Sequence, residues 1–238
     1  MSERAMDAVI LAGGKGSRLQ PFTNELPKPL VPLGETPIIA LLLRQLRKTG
    51  VTRAHLAVNH LAHLIMAVLG DGAGLGLEIT YTVEDQPLST IGPLRLIKNL
   101  PEHFIVANGD ILTDLDVSSL YDAHVASKAL VTVATYPRTE RIDFGVLETD
   151  SNHRVIGFQE KPAYEFRVSM GLYVMSKRVL EFVPENRAYG FDELILDLLE
   201  RGELVKEYPY SGFWLDIGRP DDYERAQMDR ERIEKLLL

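Results

Sequence analysis

Cysteine is absent from this chain of 238 residues. Disulfides, thiolate metal ligands and a cysteine nucleophile are therefore excluded, and any metal site must use oxygen or histidine ligands. The six histidines are scattered along the sequence. His60 and His63 stand three residues apart in a predicted helix, but they have no nearby carboxylate partner. We interpret both as structural or solvated residues rather than as a metal pair.

Long apolar runs and positive charge are also scarce. The longest apolar stretches, such as residues 38–43, are far shorter than the roughly 20 residues that a membrane-spanning helix needs. The first apolar run is too brief for a secretory signal. A net charge of −8 argues against a broad nucleic-acid surface, which requires a cationic face. We therefore expect a cytoplasmic protein with neither a nucleic acid nor a membrane as its partner.

The order of apolar patterns predicts an α/β fold. Residues 9–11 form a short apolar run that stops at glycines, and an amphipathic pattern of helical period follows from Ile39 to Leu46. Further strands are predicted near residues 55–58, 78–83 and 104–107, and helices near 60–69 and 92–100. Such alternation predicts a mostly parallel sheet that is covered by helices on both faces, with ligands at the carboxyl ends of the strands.

The second half of the chain is richer in strand patterns. They lie at residues 130–135, 145–148, 155–160 and 170–175, and they predict mixed strand directions. Helices are predicted near 177–182 and 191–200, and a last charged helix from Pro220 to about residue 237. No repeat, low-complexity tract or linker interrupts the sequence, so we predict a single domain over residues 1–238.

A glycine loop is the densest local signal. Gly13, Gly14 and Gly16 permit close backbone approach to phosphate oxygens, and Lys15 and Arg18 supply positive charge. The order GGKGSR fits neither the Walker loop nor the dinucleotide fingerprint. A tight surface turn with solvated charges remains the alternative interpretation. The next residues argue against that alternative, because Pro27 and Pro29 hold Lys28 in an extended stretch with little freedom.

Residues 11–39, LAGGKGSRLQPFTNELPKPLVPLGETPII, resemble the opening signature of the sugar-1-phosphate nucleotidylyltransferases. Later segments resemble the same family in the same order: residues 70–81, 84–94, 108–110, 160–162, 171–173 and 214–218. The resemblance spans about residues 7–227. Within the family, the sequence most resembles the short mannose- and heptose-1-phosphate guanylyltransferase-like members. It implies a Rossmann-like three-layer sandwich with a mostly parallel mixed sheet. The implied reaction joins a sugar 1-phosphate to a nucleoside triphosphate and releases pyrophosphate.

The resemblance also implies roles for charged residues. Arg18 would orient the departing phosphates, and Lys28 would stabilise charge on the α-phosphate. Lys161 would hold the phosphate of the sugar, which is the nucleophile. Asp110 and Asp216 would hold Mg²⁺, whose preferred ligands are hard oxygens. Taken alone, each aspartate is more typical of a turn or a helix cap, and each lysine of a solvated surface.

Substrate binding involves two further sets of residues by the same resemblance. The nucleotide set comprises Leu11, Gly13, Gly14, Lys15, Gly16, Ser17, Glu84, Pro87, Leu88, Gly92 and Gly109. Residues 84–94, EDQPLSTIGPL, are closer to the guanylyltransferase version of this segment than to the thymidylyltransferase version, which favours GTP. Ser89 and Ile91 depart from that version, and we expect Ile91 to crowd the base.

The sugar-phosphate set comprises Gly145, Glu160, Lys161 and Ser169. Ser169 and Met170 stand where family members often carry asparagine and alanine, which argues against glucose and mannose as the sugar, although a heptose 1-phosphate and mannose 1-phosphate both stay open. 

Three alternatives to this function stay open. One is an enzyme of the glucose-1-phosphate type that uses dTTP or UTP, and the second is a catalytically silent regulatory subunit. The third is a metal-dependent glycosyltransferase, a class in which the signature of residues 11–29 is not expected. Hexapeptide repeats are absent, which predicts no appended β-helix. Whether the protein forms a homodimer stays open, and we interpret Met6, Met66 and the leucines at 236–238 as packing or dimer contacts.

Overall fold

Seven strands form one central sheet in the computed structural model, which describes residues 5–237. The strands of the chain are β1 (Met6–Leu11), β2 (Pro32–Leu33), β3 (Thr36–Pro37), β4 (Val51–Val58), β5 (Glu78–Val83), β6 (His103–Asn108), β7 (Ile111–Thr113), β8 (Val131–Arg141), β9 (Val146–Thr149), β10 (Val155–Gln159), β11 (Ala163–Ser176), β12 (Val205–Pro209) and β13 (Trp214–Asp216). The order in the central sheet is β12-β8-β11-β6-β1-β4-β5. Only β11 runs antiparallel to its neighbours, which confirms a mostly parallel sheet with mixed directions in the second half.

Helices cover both faces of this sheet. They are α1 (Ile38–Lys48), α2 (Ala62–Leu69), α3 (Val117–Ser127), α4 (Phe191–Glu200), α5 (Pro220–Met228) and α6 (Arg230–Leu237). Successive residues of β1 point to opposite faces, so Ile10 packs in the cluster with α1, α2 and α3, while Val9 packs in the cluster with α4. The three-layer α/β prediction is therefore confirmed. Within residues 5–237, every helix is too short or too polar to span a bilayer.

Three predicted helices differ from the structure. Residues 92–100 form only a short 3₁₀ turn at Gly92–Leu96, where Pro93 cannot donate a backbone hydrogen bond, and Lys177–Phe182 is also 3₁₀. The predicted C-terminal helix is divided at Asp229. The two parts bury different residues: α5 buries Tyr223 and Ala226, whereas α6 buries Ile233 and Leu237 and packs against α1.

An extended arm projects from the sheet. The outer halves of β8 and β11 continue as a two-stranded ribbon, and β9 and β10 form a separate hairpin between them in the chain. Gly145, Glu160 and Lys161 belong to this arm, and so do exposed aromatic residues such as Phe144 and Phe158. 

The residues named as packing or dimer contacts separate into two groups. Met6 and Leu237 are buried in the core, and Met66 and Leu236 are exposed. Leu238 lies outside the described residues.

A buried histidine makes the stability of this fold sensitive to acid. His124 of α3 is fully buried, with Nδ1 at 2.8 Å from the Thr132 hydroxyl and Nε2 at 3.2 Å from the Ser176 hydroxyl. Burial, helped by the nearby His103 ring, lowers the pKa of His124 from 6.5 to about 4. The folded protein therefore keeps a neutral imidazole in a pH range where the unfolded chain already binds a proton there.

We expect this histidine to remove about 3 kcal/mol from the free energy of unfolding as the pH falls from above 6.5 to about 4. The contribution has this sign because the unfolded state takes up the proton first. Urea unfolding of the wild type and of His124→Gln between pH 7.5 and 4.5 checks it, since the variant should lose this part of the pH dependence. Equal slopes for both proteins would contradict the assignment.

Candidate active site

A cavity of about 520 Å³ opens at the carboxyl ends of β1, β4, β5 and β6. This is the end of a parallel sheet where α/β proteins bind ligands. Its lining residues are Leu11, Gly13, Gly14, Lys15, Gly16, Ser17, Arg18, Lys28, Ala57, Asn59, Glu84, Pro87, Ser89, Thr90, Pro93, Asn108, Asp110 and Gly218. The predicted glycine loop and much of the predicted nucleotide segment therefore meet in one cavity. A second cavity, of about 640 Å³, lies beside the C-terminal end of α1 and contains none of the predicted site residues.

The glycine loop is fixed from two sides. At the start of the loop, the backbone N–H of Ala12 donates to the Ala57 carbonyl at 2.8 Å. In its middle, the Thr23 hydroxyl donates to the Gly16 carbonyl at 2.8 Å. Gly16 has a φ of +64°, and a Cβ there would lie 2.9 Å from Cβ of Lys28. Glycine at this position therefore lets the loop pack against the segment that carries Lys28.

Two neighbouring glycines of this loop have different surroundings. A Cβ on Gly13 would lie 2.7 Å from Oε1 of Glu84 and 3.3 Å from Cβ of Asn59, whereas a Cβ on Gly14 meets nothing within 4 Å. The Glu84 carboxylate is buried and cannot move without disturbing the hydrogen bond that it accepts from the Leu88 N–H. The loop thus approaches the ends of β4 and β5 closely at Gly13 but not at Gly14.

We expect Gly13→Ala to lower the free energy of unfolding by about 1–3 kcal/mol, because the new methyl group overpacks against Glu84. Gly14→Ala is the matched control and should change it by less than about 0.5 kcal/mol. Urea unfolding without ligand measures both variants. Equal destabilisation by the two substitutions would rule out this contact as the reason for glycine at position 13.

Four charged residues converge at one side of the cavity. Lys28 is only 8% exposed, and its ammonium group forms an ion pair with the carboxylate of Asp110. Asp110 follows β6 and Asp216 ends β13, which pairs with β7, so the Ile217 N–H donates to the Asp110 carbonyl at 3.1 Å. Burial and then the charge of Asp110 raise the pKa of Asp216, while Lys28 and Arg18 oppose that rise. All four side chains therefore interact electrostatically.

The chemistry of the two carboxylates fits a hard cation in part. Carboxylate oxygens are suitable ligands for Mg²⁺, which also retains waters and substrate phosphates as ligands. Within residues 5–237, no group of three or more acidic or histidine side chains is placed to hold a metal by itself. Asp110 and Asp216 could thus supply two ligands, and the remaining ligands would come from substrate and water.

The predicted nucleotide segment forms a wall of the cavity. Pro87, Ser89 and Thr90 line it directly, and the buried Glu84 reaches it from the end of β5. Oε2 of Glu84 accepts the Leu88 N–H at 3.0 Å, and burial raises the pKa of this carboxyl group despite that bond. Two predicted residues, Leu88 and Gly92, are buried and do not line the cavity.

The expectation that Ile91 crowds the base is wrong, because its side chain is fully buried in the core with Val9 and Leu94. Ser89 has a left-handed φ of +66°, which glycine would adopt more easily. Gly109 also stays behind the cavity wall, where a Cβ would lie 3.1 Å from the Leu11 carbonyl oxygen.

The predicted sugar-phosphate residues lie outside the lining of this cavity. A Cβ on Gly145 would lie 2.7 Å from the Phe158 ring and 3.3 Å from Oε2 of Glu160, so these residues cluster on the arm. Lys161 is exposed, with a φ of +46°. Ser169 belongs to β11, and its hydroxyl donates to the Tyr173 hydroxyl at 3.1 Å.

Asparagines at strand ends are site residues that the sequence reasoning missed. Asn59 follows β4 and Asn108 ends β6, and both line the cavity. The Asn59 amide donates to the Glu84 carbonyl at 3.2 Å. The signal that could have found them is their position, since each polar side chain comes at the carboxyl end of a predicted parallel strand.

A glycine loop, two cations and two carboxylates at the carboxyl ends of an α/β sheet are typical of proteins that bind nucleotide phosphates. The sequence model described as "Nucleotidyl transferase" matches residues 7–233, so the chain belongs to the nucleotidyl transferase family.

Curated relatives are similar over nearly the whole chain. The chain is 32% identical to mannose-1-phosphate guanylyltransferase of Mycobacterium tuberculosis over 98% of its own length and 66% of the relative's. It is 32% identical to UTP–glucose-1-phosphate uridylyltransferase of a Synechocystis species, over 93% of this chain and 62% of that one. It is 31% identical to D-glycero-α-D-manno-heptose 1-phosphate guanylyltransferase of Aneurinibacillus thermoaerophilus, over 94% and 98%. The chain thus spans about two thirds of the first two relatives.

A solved structure agrees with the fold. HddC from Yersinia pseudotuberculosis, crystallised with GMP-PN, superposes with a TM-score of 0.74 at 26% identity, over 94% of this chain and 99% of that one.

Proposed function

We propose that the protein transfers a nucleotidyl group from a nucleoside triphosphate, with GTP as the preferred donor, to a sugar 1-phosphate. The products are a nucleoside diphosphate sugar and pyrophosphate. The observation that carries this proposal is the convergence of Arg18, Lys28, Asp110 and Asp216 beside a cavity lined by the glycine loop. Transfer to phosphorus depends mainly on positioning and charge stabilisation, which this arrangement can supply.

The balance of the reaction assigns roles to these residues. An oxygen of the sugar phosphate attacks the α-phosphorus, and the bond from that phosphorus to the bridging oxygen of pyrophosphate breaks. Arg18 and Lys15 line the cavity where they can hold the departing phosphates, and Lys28 can turn from Asp110 to the α-phosphate. Asp110 and Asp216 would hold Mg²⁺, which when bound supplies neutralisation of phosphate charge. Lys161 is the proposed partner of the sugar phosphate.

The choice of GTP rests on two supports. Two of the three relatives described above are named guanylyltransferases. The buried carboxylate of Glu84 also suits the base: Oε2 accepts the Leu88 N–H, and Oε1 has no hydrogen-bond donor among residues 5–237, so it can accept a hydrogen bond at the cavity. Guanine presents two adjacent N–H donors on one edge, and Oε1 can accept a hydrogen bond from this edge. The uridylyltransferase relative makes UTP the second candidate.

A substrate panel tests the proposed function. GTP, UTP, dTTP, ATP and CTP are each incubated with mannose, glucose and heptose 1-phosphates and with Mg²⁺, and pyrophosphate release is measured. We expect release that requires both substrates and is fastest with GTP. Release that is faster with UTP or dTTP would reject the base assignment only. Inertness towards every pair would reject the reaction and favour a silent subunit, whereas consumption of an NDP-sugar in a separate incubation without NTP would favour a glycosyltransferase.

A further inference from the structure

The strand that carries Ser169 is irregular beside the cavity. β11 pairs with β8 up to Ser169 and resumes the pairing only at Tyr173, so residues 170–172 form a bulge. Gly171 has a φ of +71°, and a Cβ there would lie 2.5 Å from Nδ2 of Asn108, which lines the cavity. The Gly171 N–H donates to the Ser169 hydroxyl at 3.3 Å. The bulge thus lies directly behind the cavity wall, and its backbone is not locked to β8.

Tyr173 connects this bulge to the other side of the sheet. Its hydroxyl accepts the hydrogen bond from Ser169, and its ring stacks on Phe191 with centroids 4.1 Å apart and planes at 25°. Burial and the charge of Asp110 raise the pKa of the Tyr173 phenol, which also places this side chain within the field of the four-residue charge cluster. Tyr173 is only 5% exposed, so the ring has little freedom to move without Phe191.

Phe191 in turn holds the nucleotide segment. It begins α4, and its backbone N–H donates to the Thr90 hydroxyl at 2.9 Å. Thr90 lines the cavity. The same segment is attached to the residues before α4, since the N–H groups of Ile91 and Gly92 both donate to the Tyr189 carbonyl, at 2.9 and 3.1 Å. Thr90, Phe191, Tyr173 and Ser169 therefore form one continuous series of contacts.

We propose that Phe191 is a positioning residue that couples the nucleotide side of the site to the sugar-phosphate side. A nucleotide that contacts the loop around Thr90 restricts Thr90, and this restriction passes through Phe191 to Tyr173 and to the bulge that carries Ser169. Binding of the first substrate would thereby prepare the site for the second, which is a coupling free energy between two sites. The inference rests on the proposed function, because it takes Ser169 as part of the sugar-phosphate site.

Hydrogen exchange tests the coupling without the sugar. The probe is the α,β-methylene analogue of GTP, which cannot release pyrophosphate, and the analogue of UTP is tested in parallel. In the wild type, the analogue should slow exchange both at residues 13–18 and at residues 170–172, by about threefold or more. In Phe191→Leu, which keeps the backbone N–H and an apolar side chain, only residues 13–18 should be slowed. Phe191→Tyr keeps the aromatic ring and should behave as the wild type does.

Bulge protection that persists in Phe191→Leu would overturn the coupling while leaving nucleotide binding, and thus the proposed function, intact. A wild type in which the loop but not the bulge is slowed would overturn it as well. If neither analogue slowed residues 13–18, both the proposed function and the coupling would be rejected.

Steady-state kinetics gives a second readout that a merely structural role would not produce. Phe191→Leu should raise the KM for mannose 1-phosphate about tenfold, while the Kd for the GTP analogue in the absence of the sugar changes less than about twofold, because the coupling acts only when both substrates are bound. Tyr173→Phe keeps the stacked ring but removes the hydroxyl that accepts from Ser169, and it should have a similar effect. Because the contacts act in series, the double variant should be no worse than the worse single variant. Independent, additive effects, or a Kd for the analogue alone that rises as much as the KM for mannose 1-phosphate, would count against the proposal.

Discussion

Replacing Asp110 by alanine is expected to lower the rate of pyrophosphate formation about a thousandfold, which is the scale for losing one preorganised electrostatic group in an active site. Asp110 pairs with Lys28, lies across the short β7–β13 ladder from Asp216, and raises the pKa of Asp216. Its removal therefore takes away one of the two proposed metal ligands and the anionic partner of a buried lysine. Among residues 5–237, Lys28 forms its ion pair with Asp110, and Asp216 interacts with Lys28 only through the longer-range charge effect on its pKa.

The measurement is single-turnover pyrophosphate release with GTP and the best sugar 1-phosphate of the panel. Asp110→Asn should lose nearly as much as alanine, because it keeps the shape but not the charge. Asp71→Asn is the control: the side chain of this exposed aspartate accepts the Ala73 N–H in a turn and does not line the cavity, so its replacement should leave the rate within about twofold. Melting curves confirm that each variant is folded. A rate above a tenth of the wild type in Asp110→Ala would refute the role of this residue.

The central sheet was predictable because the local sequence of each strand carries a recognisable apolar pattern. Residues 9–11 and 104–107 are apolar on both faces, as expected of strands buried between helix layers, and both lie in the parallel part of the sheet. The 3₁₀ turn at residues 92–96 was not predictable from periodicity. Its backbone is fixed by the Tyr189 carbonyl, from a residue nearly a hundred positions later in the chain.

The charge cluster was likewise predictable from the sequence only in part. The sequence predicted a restrained Lys28 in an extended stretch; the structure instead places Lys28 at the start of a 3₁₀ turn, Lys28–Leu30, and in a buried ion pair. Taken alone, Asp110 and Asp216 looked like ordinary turn residues, and only the family resemblance singled them out. Their proximity results from the pairing of β13 with β7, which connects positions about a hundred residues apart. Local patterns do not encode such a register, and the contact between Thr90 and Phe191 escaped prediction for the same reason.

Glu84 provides the sharpest test of base selection, because the two oxygens of its carboxylate have separate tasks. Oε2 accepts the Leu88 N–H and thereby fixes the turn of the nucleotide segment. Oε1 lies against Gly13 at the cavity and, among the described residues, has no hydrogen-bond donor of its own. An ionised carboxylate here attracts two adjacent N–H donors, as on guanine. Uracil offers one N–H between two carbonyl oxygens, and these oxygens are repelled by the same carboxylate.

We therefore expect Glu84→Gln to lower the ratio of kcat/KM for GTP over UTP by about tenfold to a hundredfold. The glutamine carbonyl can still accept the Leu88 N–H, so the segment should keep its conformation. What changes is the group that faces the base. An amide supplies one donor and one acceptor, so its interaction with guanine is weaker than that of the carboxylate, and its repulsion of uracil is smaller. Asp85→Asn, the exposed neighbour, is the matched control and should leave the ratio unchanged.

Competition between GTP and UTP in a single reaction, with both products separated, measures this ratio directly and cancels differences in active enzyme concentration. A lowered rate with an unchanged ratio would show that Glu84 serves only the Leu88 turn, and base selection would then have to reside in the backbone groups around Ser89. An equal fall in the ratio for Asp85→Asn would instead indicate a general effect of negative charge. Because glutamine preserves the size of the side chain, a selective fall in Glu84→Gln can arise only from the lost charge at Oε1 and the donor that replaces it.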